Sequence, residues 1–193
     1  ILPFAKKEEI GKTVDYVSGR NRYIGYLISL GLYSFKGLRI GLDCANGSAW
    51  NIAKSVFEAL GATVYQIGAE PNGLNINYMV GSTCPEAIRD FVREKRLDAG
   101  FAYDGDADRC ICVDEKGQLI DGDEILYMSA LYLKEKGLLE GDTVVSTVMS
   151  NMGLTKALEK NGISNIQTDV GDRFVYPTAP NTPQRLFFPN LDD

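Results

Sequence analysis

"GLRIGLDCANGSAWNIAKSVFEALGATVYQIG", residues 37–68, decides the fold. GLRIGLDC (37–44) is an apolar, β-rich run that stops at the turn signal Asn46-Gly47. SAWNIAKSVFEALG (48–61) follows with helical spacing, Ser48 as its expected N-cap and Gly61 at its C-terminal stop. ATVYQIG (62–68) is a second strand. Downstream the alternation continues. CPEAIRDFVREKR (84–96) reads as a helix with Pro85 in its first turn, and LDAGFAY (97–103) as a third strand. RCICVDEKGQLIDG reads as two short strands across a turn at Glu115-Lys116-Gly117, followed by a helix from about Asp123 to Lys136. DTVVSTVMS (142–150) and ISNIQTDV (163–170) are strands flanking the helix MGLTKALEKNG (152–162). Strands alternating with helices indicate an α/β protein with a mixed, largely parallel sheet and flanking helices.

Three regions stand apart from this rhythm. Residues 7–33 read as a polar helix with Tyr23, Tyr26, Leu27 and Leu30 as an apolar stripe, a connector to something larger. GAEPNGLNINYMVGST (68–83) is a long connection, a length that often carries function. The tail 177–193 holds four of the chain's seven prolines and no period, and reads as disordered or foreign sequence. No internal repeat is evident.

Composition narrows the function. A net charge of −6 over 193 residues argues against a broad nucleic-acid-binding face. No apolar run approaches the ~20 residues that span a bilayer, and the opening ILPFAKKEEIGK is too short and too charged for a signal peptide. A cytoplasmic protein is expected. The four cysteines, Cys44, Cys84, Cys110 and Cys112, come with no histidine, which disfavours zinc and removes Ser-His-Asp and Cys-His catalysis. Reduced, mostly buried thiols are expected.

The chemistry concentrates in GFAYDGDADRCICVD (100–114), where Asp104, Asp106 and Asp108 alternate with small residues and Arg109 follows. Carboxylates so crowded repel one another and call for a cation. Read by spacing, the stretch has three identities. In a calcium loop the three aspartates would stand at positions 1, 3 and 5 and Glu115 at 12, although Arg109 holds the place of the turn glycine and strands flank it. In a haloacid-dehalogenase-like phosphatase Asp104 would be the nucleophile, Ser146 or Thr147 the later hydroxyl and Gly171-Asp172 the distal acid. In a magnesium loop the three aspartates would be ligands, with places left for water and one phosphate oxygen. Arg109 would then offer a fixed positive fork to a phosphate.

Other residues have plainer readings. Asn46 and Gly47 end a strand and either meet a ligand or form a turn with a helix cap. Ser82 and Thr83 are expected to cap the Pro85 helix, and Asp121 and Asp123 to stabilise the next helix's N-terminus. Asp172 and Arg173 either pair or place Arg173 in a cleft, and Lys156 and Lys160 belong to a solvated face.

DGDADR, between a strand and VDEKGQLIDGDEI, resembles the metal loop of the α-D-phosphohexomutases. GLDCANGSAW (41–50), PNGLNIN (71–77), GSTCPE (81–86), TVMSNMGL (147–154) and TDVGDR (168–173) agree in order and spacing. GLNIN with DGDADRC resembles the phosphoglucosamine mutase branch, where phosphomannomutases and phosphoglucomutases more often show DGDGDR. The likeness covers roughly residues 15–176. It implies an isomerase that interconverts glucosamine 6-phosphate and glucosamine 1-phosphate through a phosphoserine and a bisphosphate, in amino-sugar nucleotide and cell-wall precursor synthesis. It also implies Mg2+ on Asp104, Asp106 and Asp108, with Arg109 as a catalytic residue beside the transferring group. Residues 1–36 would end domain I and form a linker helix, 37–118 form domain II with the metal loop, 119–176 begin domain III, a second, similar α/β domain, and 177–193 fall outside the family. The serine segment would lie upstream of Ile1 and a Gly-Glu-x-Ser-Gly-His block after Val175. The chain alone is therefore expected to be inactive, and its uncovered surface to allow self-association. Cys84 stands where the family generally has histidine.

Overall fold

The structure, a computed structural model, describes residues 14–178. The expected helical residues 7–13 and the tail beyond residue 178 lie outside that range. The chain begins with α1 (Val17–Ser29). It continues through β1 (Arg39–Asp43), α2 (Ala53–Ala59), β2 (Thr63–Ile67), α3 (Pro85–Lys95), β3 (Ala99–Tyr103), β4 (Cys110–Asp114) and β5 (Leu119–Ile120). α4 (Gly122–Glu135), β6 (Thr143–Thr147), α5 (Met152–Lys160), β7 (Ser164–Thr168) and α6 (Asp172–Thr178) follow.

The first sheet has five strands in the order β2-β1-β3-β4-β5. β1 pairs in parallel with β2 and with β3. β3, β4 and β5 then run antiparallel. Helices cover both faces. On one side Ile40, Leu42 and Cys44 pack with Ala49, Ala53 and Ala62, and Phe57 bridges Phe35 and Phe101 at ring separations of 5.9 and 5.4 Å. On the other, Ile88 and Val92, one turn apart on α3, meet Leu97, Ala102 and Val113. Burying such a side chain is worth about 1.5–3 kcal/mol. α3 sits close because Gly41 and Gly100 face each other across β1 and β3 directly beneath it. A Cβ at Gly100 would stand 2.6 Å from Val92 Cγ2 and 2.7 Å from Val113 Cγ2.

The second sheet is the parallel pair β6-β7. Leu126 and Ala130 of α4 and Leu154 and Leu158 of α5 pack with Val144 and Ile163. Both helices start on side-chain caps, α4 through a reciprocal Asp121–Glu124 box and α5 through Asn151. Lys134 ties α4 across to the Gly162 carbonyl at 2.8 Å and to Asp142 at 3.1 Å.

Several local expectations change. Ser48 opens a 3-10 turn (Ser48–Asn51) with Gly47 at the cap position, and the α-helix proper starts at Ala53. Neither Ser82 nor Thr83 caps α3; Cys84 holds that position without a side-chain bond, and Pro85 suffices at the first turn. Tyr23 and Tyr26 of α1 and Leu30 just after it are exposed, and no α1 residue is fully buried. α6 has no counterpart in the sequence reading, because Pro177 within it reads as a breaker. Among the described residues no helix is long and apolar enough to cross a membrane.

Candidate metal centre

Residues 104–109 are the loop of the β3–β4 hairpin, closed where Tyr103 pairs with Cys110. Strand β3 delivers Asp104 at its C-terminal end, where its side chain is 4% exposed, while Asp106 and Asp108 project into solvent. The loop turns back on itself through Ala107, which has a left-handed φ of 61° and donates its N–H to the Asp104 carbonyl at 3.2 Å.

Arg109 holds the buried carboxylate from two directions. Its backbone N–H donates to Asp104 Oδ1 at 3.2 Å and its Nε to Asp104 Oδ2 at 3.0 Å. The same Nε lies 3.8 Å from Asp108 Oδ1. Burial pushes the Asp104 carboxyl up, but the Arg109 bonds and charge outweigh it and hold the group below the usual carboxylate range. Asp108 goes the other way: desolvation, then repulsion from Asp106 and Asp104, push its carboxyl up. The Asp104 shift reports the Arg109 guanidinium, whereas that of Asp108 reports crowding by its fellow carboxylates.

The residues fit a divalent cation. One oxygen from each of Asp104, Asp106 and Asp108 lies within 4.8 Å of the others. An octahedral ion with ligands at about 2.1 Å needs neighbouring oxygens about 3 Å apart and opposite ones about 4.2 Å apart, so only a small closure is required. Three carboxylates and one guanidinium leave the loop two formal charges negative, which one divalent ion neutralises. The all-oxygen donor set suits a hard ion such as magnesium.

The competing identities fare differently. Glu115 lies in the turn after β4, at the far end of that strand, and is not in the cluster. The loop is flanked by strands, so a helix–loop–helix calcium site is excluded. Ser146 and Thr147 belong to β6 in the other sheet, and Ser146 spends its hydroxyl on Asn165 Oδ1 at 3.0 Å. The Asp172 side chain lies outside what the structure describes; Arg173 stacks over Phe174 at 4.7 Å. Lys156 and Lys160 are exposed, as expected. All four cysteines are free thiols, Cys44 fully buried and pushed up to about 11 by that burial.

Asn46 is structural. Its Oδ1 accepts the Glu70 N–H at 3.0 Å and its Nδ2 donates to the Asn75 carbonyl at 3.3 Å, clamping the long connection to the end of β1. Asp121 caps α4 as expected, whereas Asp123 accepts the Asn151 N–H at 2.7 Å and so joins α4 to the start of α5.

Residues 21–117 match the sequence pattern of "Phosphoglucomutase/phosphomannomutase, alpha/beta/alpha domain II", and residues 121–182 that of domain III. A phosphoglucosamine mutase of Lachnospira eligens is 59% identical over 185 residues, which is 96% of this chain and 41% of that protein. The phosphoglucosamine mutase of Bacillus subtilis is 51% identical over 174 residues, 90% of this chain and 39% of that protein. The chain thus spans about two fifths of the length of these relatives. In three dimensions it resembles a phosphoglucomutase/phosphomannomutase family protein from Burkholderia thailandensis, with a TM-score of 0.70 at 23% identity over 82% of this chain and 34% of that one. It also resembles an N-acetylglucosamine-phosphate mutase in its product complex, with a TM-score of 0.60 at 20% identity over 86% of this chain and 35% of that one. With two α/β/α patterns matched in order along the mixed sheet and its successor, the chain belongs to the phosphoglucomutase/phosphomannomutase family.

Proposed function

We propose that this chain supplies the magnesium-holding portion of a phosphoglucosamine mutase. The observation that carries the proposal is the hairpin loop in which one buried and two exposed carboxylates converge beside Arg109. The similarity to phosphoglucosamine mutases supports a glucosamine phosphate as the substrate class; the proposed reaction interconverts glucosamine 6-phosphate and glucosamine 1-phosphate through a phosphoserine and a bisphosphate. On this reading residues 37–118 form domain II and residues 119–176 begin domain III.

Asp104, Asp106 and Asp108 would hold the ion. When bound, magnesium supplies positive charge against the phosphoryl group in transfer. Asp104 is the fixed member, locked by two bonds from Arg109, and the exposed pair adjusts around the ion. Arg109 is half-exposed, so its guanidinium both restrains Asp104 and stands at the mouth of the loop, within reach of an incoming phosphate. The proposed order of events places donor and acceptor oxygens over this loop and leaves the phosphoryl group to move between them.

Sugar recognition is assigned elsewhere: the 193 residues contain no histidine, and so no Ser-Gly-His block. The chain by itself is expected to convert no glucosamine 6-phosphate. The test uses the longer protein that contains this stretch, assayed for glucosamine 1-phosphate formation. Asp106→Asn and Arg109→Ala are each expected to lower the rate at least about a hundredfold. Wild-type rates in both variants would overturn the proposal. A parallel assay of the chain alone for phosphate release from an aryl phosphate is expected to show none; release abolished by Asp104→Asn would instead favour the phosphatase.

A further inference from the structure

Asp43 has no exposed surface and takes no part in the aspartate cluster. Burial pushes its carboxyl up, partly offset by two backbone donors. Those donors come from different loops: Oδ1 accepts the Ala45 N–H at 3.0 Å and Oδ2 accepts the Gly81 N–H at 2.6 Å. A carboxylate is not buried at the end of a central strand without a structural return, since burial costs free energy unless its oxygens are engaged. Both of these oxygens hold backbone.

Each held loop in turn grips the N-terminal end of the aspartate loop, one on either side of Asp104. From Ala45 the chain runs through two left-handed residues, with φ of 52° at Ala45 and 49° at Asn46, into Gly47 and Ser48. Ser48 donates its N–H at 2.8 Å to the carbonyl of Gly105, the residue between Asp104 and Asp106. Gly47 lies so close that a Cβ there would collide with that same carbonyl oxygen. On the other side, Gly81 precedes Ser82, whose N–H donates at 2.8 Å to the carbonyl of Tyr103, the residue before Asp104. The two arms are also joined to each other, because Asn77 of the long connection donates to the Ala45 carbonyl at 2.8 Å.

We infer that Asp43 is a positioning residue for the metal loop: its two oxygens lock the loops that grip Tyr103 and Gly105, and through them fix where the Asp104 and Asp106 carboxylates stand. The inference rests on the metal reading above. Aspartate suits the place because both bonds need an acceptor. Asparagine offers one acceptor and turns an NH2 toward a second N–H. Gly68 leaves the carboxylate its room, since a Cβ at Gly68 would lie 2.6 Å from Asp43 Oδ1.

The experiment uses the 193-residue chain, with amide exchange followed by NMR and Mn2+ titrated by electron paramagnetic resonance. Asp43→Asn is expected to speed exchange about tenfold or more at Ser48 and Ala107, beyond its direct partners Ala45 and Gly81, while β6 and β7 keep their protection. Mn2+ affinity is expected to fall about ten- to a hundredfold. If exchange rises uniformly, or only at Ala45 and Gly81 with Mn2+ binding unchanged, Asp43 is a structural residue and the inference fails. Should Asp43→Asn not fold, Gly81→Ala serves. Its Cβ would stand 2.8 Å from the Tyr103 carbonyl and 2.7 Å from Ala45 Cβ, moving the relay with the carboxylate intact. Unchanged Mn2+ affinity in a folded Gly81→Ala chain overturns the inference. If the unsubstituted chain binds no Mn2+, the metal reading falls by itself, and exchange at Ser48 and Ala107 still decides whether Asp43 positions the loop.

Discussion

In the first strand–helix–strand unit β1 has a neighbour on each side, β2 and β3, and is buried from Ile40 to Asp43. In the second, among the described residues, β6 has one neighbour, β7, and β7 contains no fully buried residue; its Ile166 is 43% exposed. The local plan is the same: a strand, a turn, a helix packed on the pair, and a parallel return. What differs is the extension. β3, β4 and β5 complete the first sheet with antiparallel pairings, and the loop of that extension carries the three aspartates. Site and stability therefore come from the same added strands.

The contrast sets an order of effects. Leu42, with no exposed surface beneath α2, is expected to cost about 2–5 kcal/mol on replacement by alanine. Leu158→Ala removes the same group from an equally buried place, but in a unit with fewer walls, where relaxation lowers the cost toward the bottom of that range. Denaturant titration with residue-resolved exchange measures both; an equal or greater loss for Leu158→Ala would erase the distinction. Gly100→Val drives atoms into Val92 and Val113 and is expected to destabilise by about 1–3 kcal/mol, with exchange rising first under α3. Asn151→Ala removes the α5 cap at Leu154 N and is expected to cost about 1 kcal/mol, confined to β6, α5 and β7 in exchange.

The smallest effect is one of pH. Asp104 is held below its ordinary value, so the folded chain binds its proton less readily than the unfolded chain does. The stability it contributes is present above the unfolded value of about 3.9 and is lost as pH falls through the depressed folded value. With divalent ions chelated, Asp104→Asn is expected to flatten the acid limb of the stability curve in the first unit and leave the second unit's limb unchanged.

Much of this was legible in the residues. The run 37–68 announces its βαβ unit because strand and helix periods alternate cleanly, and DGDADR announces that three carboxylates converge on one loop because small residues separate them. The kinship of the two units was legible only through the family resemblance, which implies a second, similar α/β domain. No repeat shows it, because it lies in the path of the backbone and GLDCANGSAW and TVMSNMGL share too few side chains. Asp43 was not legible. A single aspartate ending an apolar run reads as the start of a turn, and its partner Gly81 is 38 positions away. Ser48 misled for a related reason. A serine after a turn looks like a cap, but here its N–H is committed to Gly105 and the chain takes a 3-10 turn before the helix begins.

The central claim is that Asp104, Asp106 and Asp108 form one divalent-cation site. The direct measurement is Mn2+ binding to the chain by electron paramagnetic resonance, with Mg2+ as competitor. One Mn2+ per chain, displaced by Mg2+ and lost when all three aspartates are replaced by asparagine in a chain that still folds, is the predicted result. Binding that survives the triple replacement would contradict it.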